Sequence, residues 1–178
     1  LEHRRQRQMC IRDSNNMEKV PFTEIGLNKL KKEMSDLKSV ERPSVIKAIA
    51  EARLHGDLSE NAEYHAAREK QGFIEGRLLE LENVISRAEV IDLNKIHANK
   101  VTFGTTVKIV DEETDEEKIL HIVGQYEANF ELGKVSTSSP IVKGLIGKSA
   151  GESAEISTPN GKKFYEILEI SVIDNSIL

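Results

Sequence analysis

A sharp interruption between two long helical patterns constrains the fold of this sequence more than any other feature. Apolar residues recur every three or four positions over residues 23–56 and again over 58–90, two stretches of nearly equal length. Helices of matching length joined by a short break fold back on each other, so the break becomes the exposed end of a hairpin. At ~1.5 Å per residue each arm would extend roughly 50 Å. The pattern therefore predicts a long antiparallel helical hairpin.

The first arm is expected to begin at Thr23, which is a favourable N-cap residue. Pro43 lacks a backbone N–H, so it should kink or split the arm near Glu41 and Arg42. The apolar face of this arm is predicted to consist of Leu27, Leu30, Met34, Leu37, Val45, Ile46, Ile49 and Ala52.

The second arm has a more regular seven-residue repeat, which is typical of a coiled coil. Gly72 and Gly76 lie four residues apart on one face, and we expect them to let the two arms approach closely. The predicted seam residues are Tyr64, Ala67, Gln71, Ile74, Leu78, Leu81, Ile85 and Ala88.

The periodicity changes near residue 92. Residues 93–100 read as a polar linker, and residues 101–178 contain short β-branched runs separated by turn signals, with a short apolar, helical segment at 140–148. The predicted fold class is α followed by α+β: an antiparallel coiled-coil hairpin at 17–92, then a small antiparallel β-sheet domain with one short helix. Strands are expected at 101–110, 118–123, 133–137, 153–158 and 163–173.

The first sixteen residues differ from the rest of the chain. They contain four arginines and lack the apolar run that a secretory signal would need, so we do not expect them to act as one. We predict that residues 1–16 are a non-native or disordered leader ahead of Met17; the alternative is a basic arm that contacts nucleic acid. The remaining chain has 21 Lys and Arg residues against 28 Asp and Glu residues. That acidic balance argues against general polyanion binding.

Cysteine usage and hydropathy indicate the compartment. Cys10 is the single cysteine, so residues 17–178 can form neither disulfides nor thiolate zinc sites. This suits a reducing cytoplasm. No stretch approaches the ~20 apolar residues of a membrane span, so we expect a cytoplasmic protein without a membrane partner.

Two acids, Asp57 and Glu60, lie three residues apart at the break. Their spacing fits a capping box, in which both side chains satisfy N–H groups of the second helix. The same placement leaves carboxylates at the end of a hairpin, where they could hold Mg²⁺ weakly, since this ion prefers oxygen ligands. Without a pocket or further ligands, such an end could only complete a metal site supplied by a partner. The two roles are compatible.

Two motifs in separate halves of the chain resemble one family. GDLSENAEYHAARE at residues 56–69, with AIAEAR at 48–53, resembles the bacterial GreA/GreB transcript cleavage factors, and SPIVKGLIGK at 139–148 is similar to the C-terminal signature of that family. The resemblance extends from about Met17 to Ile173. The acidic body is more similar to the GreA branch than to the usually more basic GreB branch.

The resemblance implies a transcription elongation factor that is not itself an enzyme. In this family the coiled coil enters the secondary channel of bacterial RNA polymerase, and an FKBP-like C-terminal domain binds the channel rim. The factor stimulates the polymerase to cleave the 3′ end of backtracked nascent RNA, which rescues arrested complexes. The implied cofactor is Mg²⁺ shared with the polymerase active site and not bound stably by the factor alone, and the factor is expected to act as a monomer.

The family's functional residues map onto this sequence as expectations. Asp57 would hold the metal, and Glu60 would support the metal or orient a water. Arg53 and Arg68 are candidates for RNA contact, although Arg53 could equally form ion pairs along its own helix. The candidates for polymerase contact are Ser139, Pro140, Lys143 and Gly144. Of these, Ser139, Pro140 and Gly144 are also expected to shape a turn and a helix.

Two other functions compete with this interpretation. An inhibitor on the same scaffold would plug the channel and block nucleotide entry, but the intact Asp-x-x-Glu and Asn-Ala-Glu-Tyr pattern at the break favours a cleavage factor. A prolyl isomerase would need an aromatic proline pocket, and this chain has no Trp and only 4% aromatic residues.

Overall fold

The computed structural model describes residues 18–54, 60–158 and 161–178. Its N-terminal half is mainly helical, and its C-terminal half is a five-stranded sheet with one short helix. The helices are α1 (Glu24–Asp36), α2 (Arg42–Ala52), α3 (Ala62–Ser86) and α4 (Pro140–Leu145). The strands are β1 (Val20–Phe22), β2 (Ala88–Val90), β3 (Thr105–Asp111), β4 (Glu117–Val123), β5 (Lys134–Ser136), β6 (Ser153–Thr158) and β7 (Gly161–Val172).

The predicted helical hairpin is confirmed: α1 and α2 run antiparallel to α3. Ion pairs join the arms along their length, including Arg77 to Glu33 at 2.7 Å and Lys70 to Glu41 at 2.8 Å. Half of the sixteen predicted seam residues are buried, and Val84 is a buried residue that the repeat did not predict. The buried seam residues are Leu27, Leu30, Val45, Ile49, Ala52, Ile74, Leu78 and Leu81.

The first arm changes geometry where Pro43 predicted a disturbance, but it does not break. A π-helical turn, Leu37–Glu41, joins α1 to α2, and the N–H of Arg42 donates to the carbonyl of Leu37. A π turn absorbs one extra residue. The eight-residue step from Leu37 to Val45 therefore returns Val45 to the seam. Ile46 then lies outside the seam with 51% of its surface exposed, so its predicted place on the apolar face is wrong.

Gly72 and Gly76 do not mediate contact between the arms. Both are exposed, and a Cβ built at either position would meet no atom within 4 Å. The predicted packing role is therefore wrong. The repeat placed these glycines on a common face correctly, but that face points away from the first arm.

A short parallel ribbon at the base of the hairpin was not predicted. Strand β1 pairs with β2, with Val20 opposite Ala88 and Phe22 opposite Val90. Ala88 therefore belongs to a strand and not to the helical seam. Phe22 is fully buried and packs in a cluster with Leu27, Leu30, Leu81 and Val84.

The C-terminal sheet has the strand order β5-β4-β3-β7-β6. All neighbours are antiparallel except β4 and β5, which pair in parallel, so the sheet is mixed where an antiparallel one was expected. Helix α4 packs on one face through Val142 and Leu145. The turn predicted at 159–161 joins paired strands with Thr158 opposite Gly161, although residues 159–160 lie outside the described residues. None of the helices described is long and apolar enough to cross a membrane.

Candidate functional site

Asn61 organises the end of the hairpin. Its side-chain Oδ1 accepts a hydrogen bond from the N–H of Tyr64 at 3.0 Å, which caps α3. Its Nδ2 donates to the carbonyl of Ala52 at 2.7 Å, the last residue of α2. One amide side chain thus caps the second arm and ties it to the end of the first.

The predicted capping box of Asp57 and Glu60 is wrong, because α3 begins at Ala62 with Asn61 as its cap. Glu60 lies in a turn immediately before Asn61 and is exposed. Its carboxylate is therefore not needed for capping and faces solvent at the end of the hairpin. The other predicted acid, Asp57, lies outside the described residues, as do all of residues 55–59.

Two arginines flank the hairpin end, as the sequence predicted. The guanidinium carbon of Arg53 lies 5.9 Å from the ring centroid of Tyr64, which joins the two arms by a cation–π contact. Tyr64 was predicted to pack in the seam; instead it is half-buried against Arg53 and the edge of His65. Arg68 is exposed and donates to Oε1 of Gln71 at 2.8 Å. Arg53 follows Ala52, to which Asn61 is bonded, and Arg68 lies about two helical turns after Asn61 on α3.

Metal binding by the described residues alone finds no support in the geometry. Over residues 18–54, 60–158 and 161–178, no group of three or more His, Cys, Asp or Glu side chains is arranged to hold a metal ion. Glu60 offers one exposed carboxylate. Any ion at the hairpin end would therefore need ligands from outside this part of the chain.

The second motif forms the start of α4. Ser139 is the N-cap, with its hydroxyl 3.5 Å from the N–H of Val142, and Pro140 occupies the first turn. A Cβ at Gly144 would lie 3.0 Å from Cγ1 of Ile156, so this glycine lets α4 pack closely on β6. The predicted structural roles of Ser139, Pro140 and Gly144 are confirmed. Lys143 is exposed on the same helix.

Sequence reasoning missed the contact between the hairpin and the sheet domain. The carboxylate of Glu127, after β4, accepts hydrogen bonds from the N–H and the hydroxyl of Thr23, the residue that caps α1. Thr23 was predicted as the N-cap, and this is confirmed by the 3.0 Å bond from the N–H of Gly26 to its hydroxyl. The available signal was Gly26 itself, an unfavourable residue in a first helical turn.

Comparison with known proteins identifies the class. Residues 20–90 match the family model described as "Transcription elongation factor, N-terminal", and residues 96–172 match "Transcription elongation factor, GreA/GreB, C-term". The chain is 58% identical to Transcription elongation factor GreA of Rhodospirillum rubrum over 85% of its length and 96% of that protein. It is 60% identical to the protein of the same name from Ruegeria pomeroyi, over 86% of this chain and 98% of that one.

Among solved structures, GreA factor homolog 1 of Thermus thermophilus matches with 24% identity and a TM-score of 0.40, over 86% of this chain and 99% of that one. The two family models and the two relatives together span both halves of the fold. The chain belongs to the GreA/GreB family of transcription elongation factors. The relatives carry the GreA name, in agreement with the branch that the acidic composition favoured.

Proposed function

We propose that this protein binds bacterial RNA polymerase in the cytoplasm, inserts its helical hairpin into the secondary channel and stimulates cleavage of the 3′ end of backtracked nascent RNA. The observation that carries the proposal is the exposed Glu60 carboxylate at the closed end of the hairpin, beside a helix that Asn61 already caps. Residues 17–92 would deliver this end, and residues 101–178 would hold the factor at the channel rim.

The dimensions of the hairpin suit this role. Helix α3 has 25 residues and is therefore about 37 Å long at ~1.5 Å per residue. Ion pairs between the arms, such as Arg42 to Glu75 at 2.7 Å, stiffen this length without widening it. A narrow helical pair can reach a buried reaction centre through a channel while the broader sheet domain stays outside. Lys143, Ser139, Pro140 and Gly144 are the proposed contacts at the rim.

Asp57 and Glu60 would share the binding of Mg²⁺ with acids of the polymerase. An exposed carboxylate fits this ion, which is commonly held by one or two carboxylates and keeps several waters. When bound, Mg²⁺ stabilises charge on phosphoryl oxygens and promotes ionisation of an attacking water. Asp57 is assigned to the metal, and Glu60 to the metal or to the orientation of the water. The reaction itself belongs to the polymerase.

Arg53 and Arg68 would contact phosphates of the extruded RNA. Guanidinium groups pair well with phosphate oxygens because they donate two parallel hydrogen bonds. Arg53 is held against Tyr64 and Arg68 against Gln71, so both side chains are partly ordered before RNA arrives. Their position behind the acids would place RNA alongside the hairpin and its 3′ end at the carboxylates.

Cleavage in arrested elongation complexes tests this proposal. Asp57→Asn and Glu60→Gln should each reduce stimulated cleavage by at least about 100-fold, as loss of one group that stabilises a transition state does, while polymerase binding is retained. Glu69→Gln, which removes an exposed acid further along α3, is the matched control and should cleave as wild type does. Unchanged cleavage by both tip variants would refute the proposed role of the acids. A factor that slows elongation across a pause site without cleavage would instead be a channel plug.

A further inference from the structure

The strongest unexplained feature of the molecule is the junction between the hairpin and the sheet domain. We infer that Glu127 is a positioning residue: its carboxylate clamps the start of α1 and so fixes the direction in which the sheet domain points the hairpin. The clamp itself follows from the contacts of the described residues. Its consequence for transcript cleavage rests on the proposed function above.

The clamp is bidentate. Oε2 of Glu127 lies 3.1 Å from the N–H of Thr23, and Oε1 accepts from the Thr23 hydroxyl. That hydroxyl in turn accepts from the N–H of Gly26, so Glu127 joins the capping network of α1 although it lies 104 residues away in sequence. Thr23 is fully buried. A carboxylate at a helix N-terminus also interacts favourably with the helix dipole.

Two further contacts place the same segment of the sheet domain against the base of the hairpin. The rings of Phe22 and Tyr126 stack with centroids 6.0 Å apart and planes inclined by 20°. Gly124 lies so close to the hairpin that a Cβ there would be 2.5 Å from the carbonyl oxygen of Pro21. Segment 124–127 therefore contacts segment 21–26 through three neighbouring residue pairs, which together restrict how the hairpin can turn on the sheet domain.

Gly26 shows that the clamp needs space. A Cβ at Gly26 would overlap the carboxylate of Glu127. Alanine is the better helix former at an ordinary position, so a glycine in the first turn of α1 has no advantage for the helix alone. Its lack of a side chain is what admits Glu127. Gly26→Ala should consequently displace Glu127 while leaving α1 at least as helical.

A small change in the angle between the hairpin and the sheet domain displaces the far end of the hairpin by a large distance. A rotation of about 10° at the base displaces a point ~40 Å along the helices by roughly 7 Å. Catalytic groups tolerate much less, since misplacement by ~1 Å can cost ~10²-fold in rate. The direction of the hairpin therefore decides whether Asp57 and Glu60 reach a reaction centre, even though Glu127 never contacts it.

Measurement of the distance between two spin labels tests the clamp independently of transcript cleavage. In the full chain carrying Cys10→Ser, labels at Ser44→Cys on α2 and Ser157→Cys on β6 report the hairpin direction, because both positions are exposed.

The parent and Thr23→Ser, which keeps the hydroxyl, should give one narrow distance distribution. Glu127→Gln and Gly26→Ala should broaden or shift it, with circular dichroism unchanged. Glu131→Gln removes an exposed acid nearby and should leave it narrow. Equal widths and equal mean distances in all five proteins would overturn the clamp.

Transcript cleavage by the unlabelled variants tests its consequence. Glu127→Gln and Gly26→Ala should reduce the maximal cleavage rate by about 10-fold or more, with the half-saturating factor concentration little changed. Broadened distances with wild-type cleavage would overturn the positioning role. If the wild-type factor fails to stimulate cleavage, the proposed function fails, and broadened distances would still support the clamp.

Discussion

At the residue scale, Asn61 stabilises the hairpin end by using both ends of its amide. The oxygen caps α3 through Tyr64, and the nitrogen donates to the carbonyl of Ala52 at the end of α2. An acid at this position could cap but could not donate. The contact that joins the two arms at the hairpin end therefore requires an amide side chain. Glu60 beside it remains exposed.

Substitution of Asn61 should destabilise the hairpin in two steps. Asn61→Asp keeps the cap and loses the bond to Ala52, and Asn61→Ala loses both, at a cost of ~1–2 kcal/mol in the free energy of unfolding for the cap and its partner bond. Urea unfolding followed by circular dichroism measures the difference. Asn83→Ala, at an exposed helical position, is the control and should be neutral or slightly stabilising. Equal effects of Asn61→Ala and Asn83→Ala would contradict the assigned role.

Asp111 and Lys163 form a partly buried ion pair beside the β3–β4 hairpin loop. Asp111 is only 1% exposed, and its carboxylate accepts from Nζ of Lys163 at 2.9 Å and from the N–H of Glu113 at 3.0 Å. The Lys163 hydrogen bond first, and the Glu113 N–H second, hold the pKa of Asp111 below its usual range. A lowered carboxyl pKa stabilises the fold at pH values above the unfolded pKa of ~3.9.

The decrease in the free energy of unfolding on losing this ion pair should therefore depend strongly on pH. Lys163→Gln should lower the free energy of unfolding at pH 7, because it leaves the Asp111 carboxylate buried without its cation. The deficit should shrink as the pH falls below ~4 and through the lowered pKa, because wild type then loses the same stabilisation. Lys162→Gln, which removes a partner of the exposed Glu155, should have little effect at either pH. A deficit for Lys163→Gln that stays constant from pH 7 to pH 3 would contradict the assignment.

At the element scale, the division of the hairpin residues between the buried seam and the exposed outer face differs from the one that the seven-residue repeat predicts. The π turn before Pro43 shifts the register of the first arm by one residue, which buries Val45 and exposes Ile46. On α3, Gly72 and Gly76 face solvent with no neighbour within 4 Å of a built Cβ. These glycines therefore lower helix stability without allowing any contact between the arms.

Alanine at these positions should stabilise the protein. Gly72→Ala and Gly76→Ala should each raise the free energy of unfolding by up to ~1 kcal/mol, since a Cβ meets no atom and alanine reduces the entropy of the unfolded chain. Chemical denaturation of the two variants measures this. Gly144→Ala is the contrasting variant, and it should destabilise because its Cβ would press on Ile156 at 3.0 Å. Destabilisation by Gly72→Ala would instead support the original prediction that this glycine lets the two arms approach closely.

At the scale of the whole molecule, periodicity predicted the elements and missed the contacts between them. The seam residues Leu30, Ile74 and Leu78 followed from spacing alone, because burial of one helical face imposes that spacing. The pairing of β1 with β2 joins residues about 68 positions apart, and the Glu127–Thr23 clamp spans 104. Three-residue strands and single carboxylates carry no periodic signal, so only the folded chain reveals them.

In the candidate site, too, the sequence predicted which residues are present but missed a contact between them. The exposed position of Glu60 followed from the prediction of a hairpin end, and the arginines at positions 53 and 68 were found there too. The capping residue was misassigned, because Asp57 and Asn61 are both good N-caps and each begins a plausible first turn. The structure decides between them through Asn61, whose Oδ1 accepts from the N–H of Tyr64. Its Nδ2 also donates to Ala52 of the other arm, which is a tertiary contact.

The proposed function requires that the hairpin carry acids which help to hold Mg²⁺ at the reaction centre of the polymerase. Its most direct test is the rate of RNA cleavage in stalled elongation complexes as a function of Mg²⁺ concentration, with wild type and Asp57→Asn compared at saturating factor. We predict that Asp57→Asn needs substantially more Mg²⁺ for half-maximal cleavage and has a lower maximal rate, because one oxygen ligand loses its charge. Identical Mg²⁺ dependence and identical rates for the two proteins would contradict the proposed metal role of Asp57.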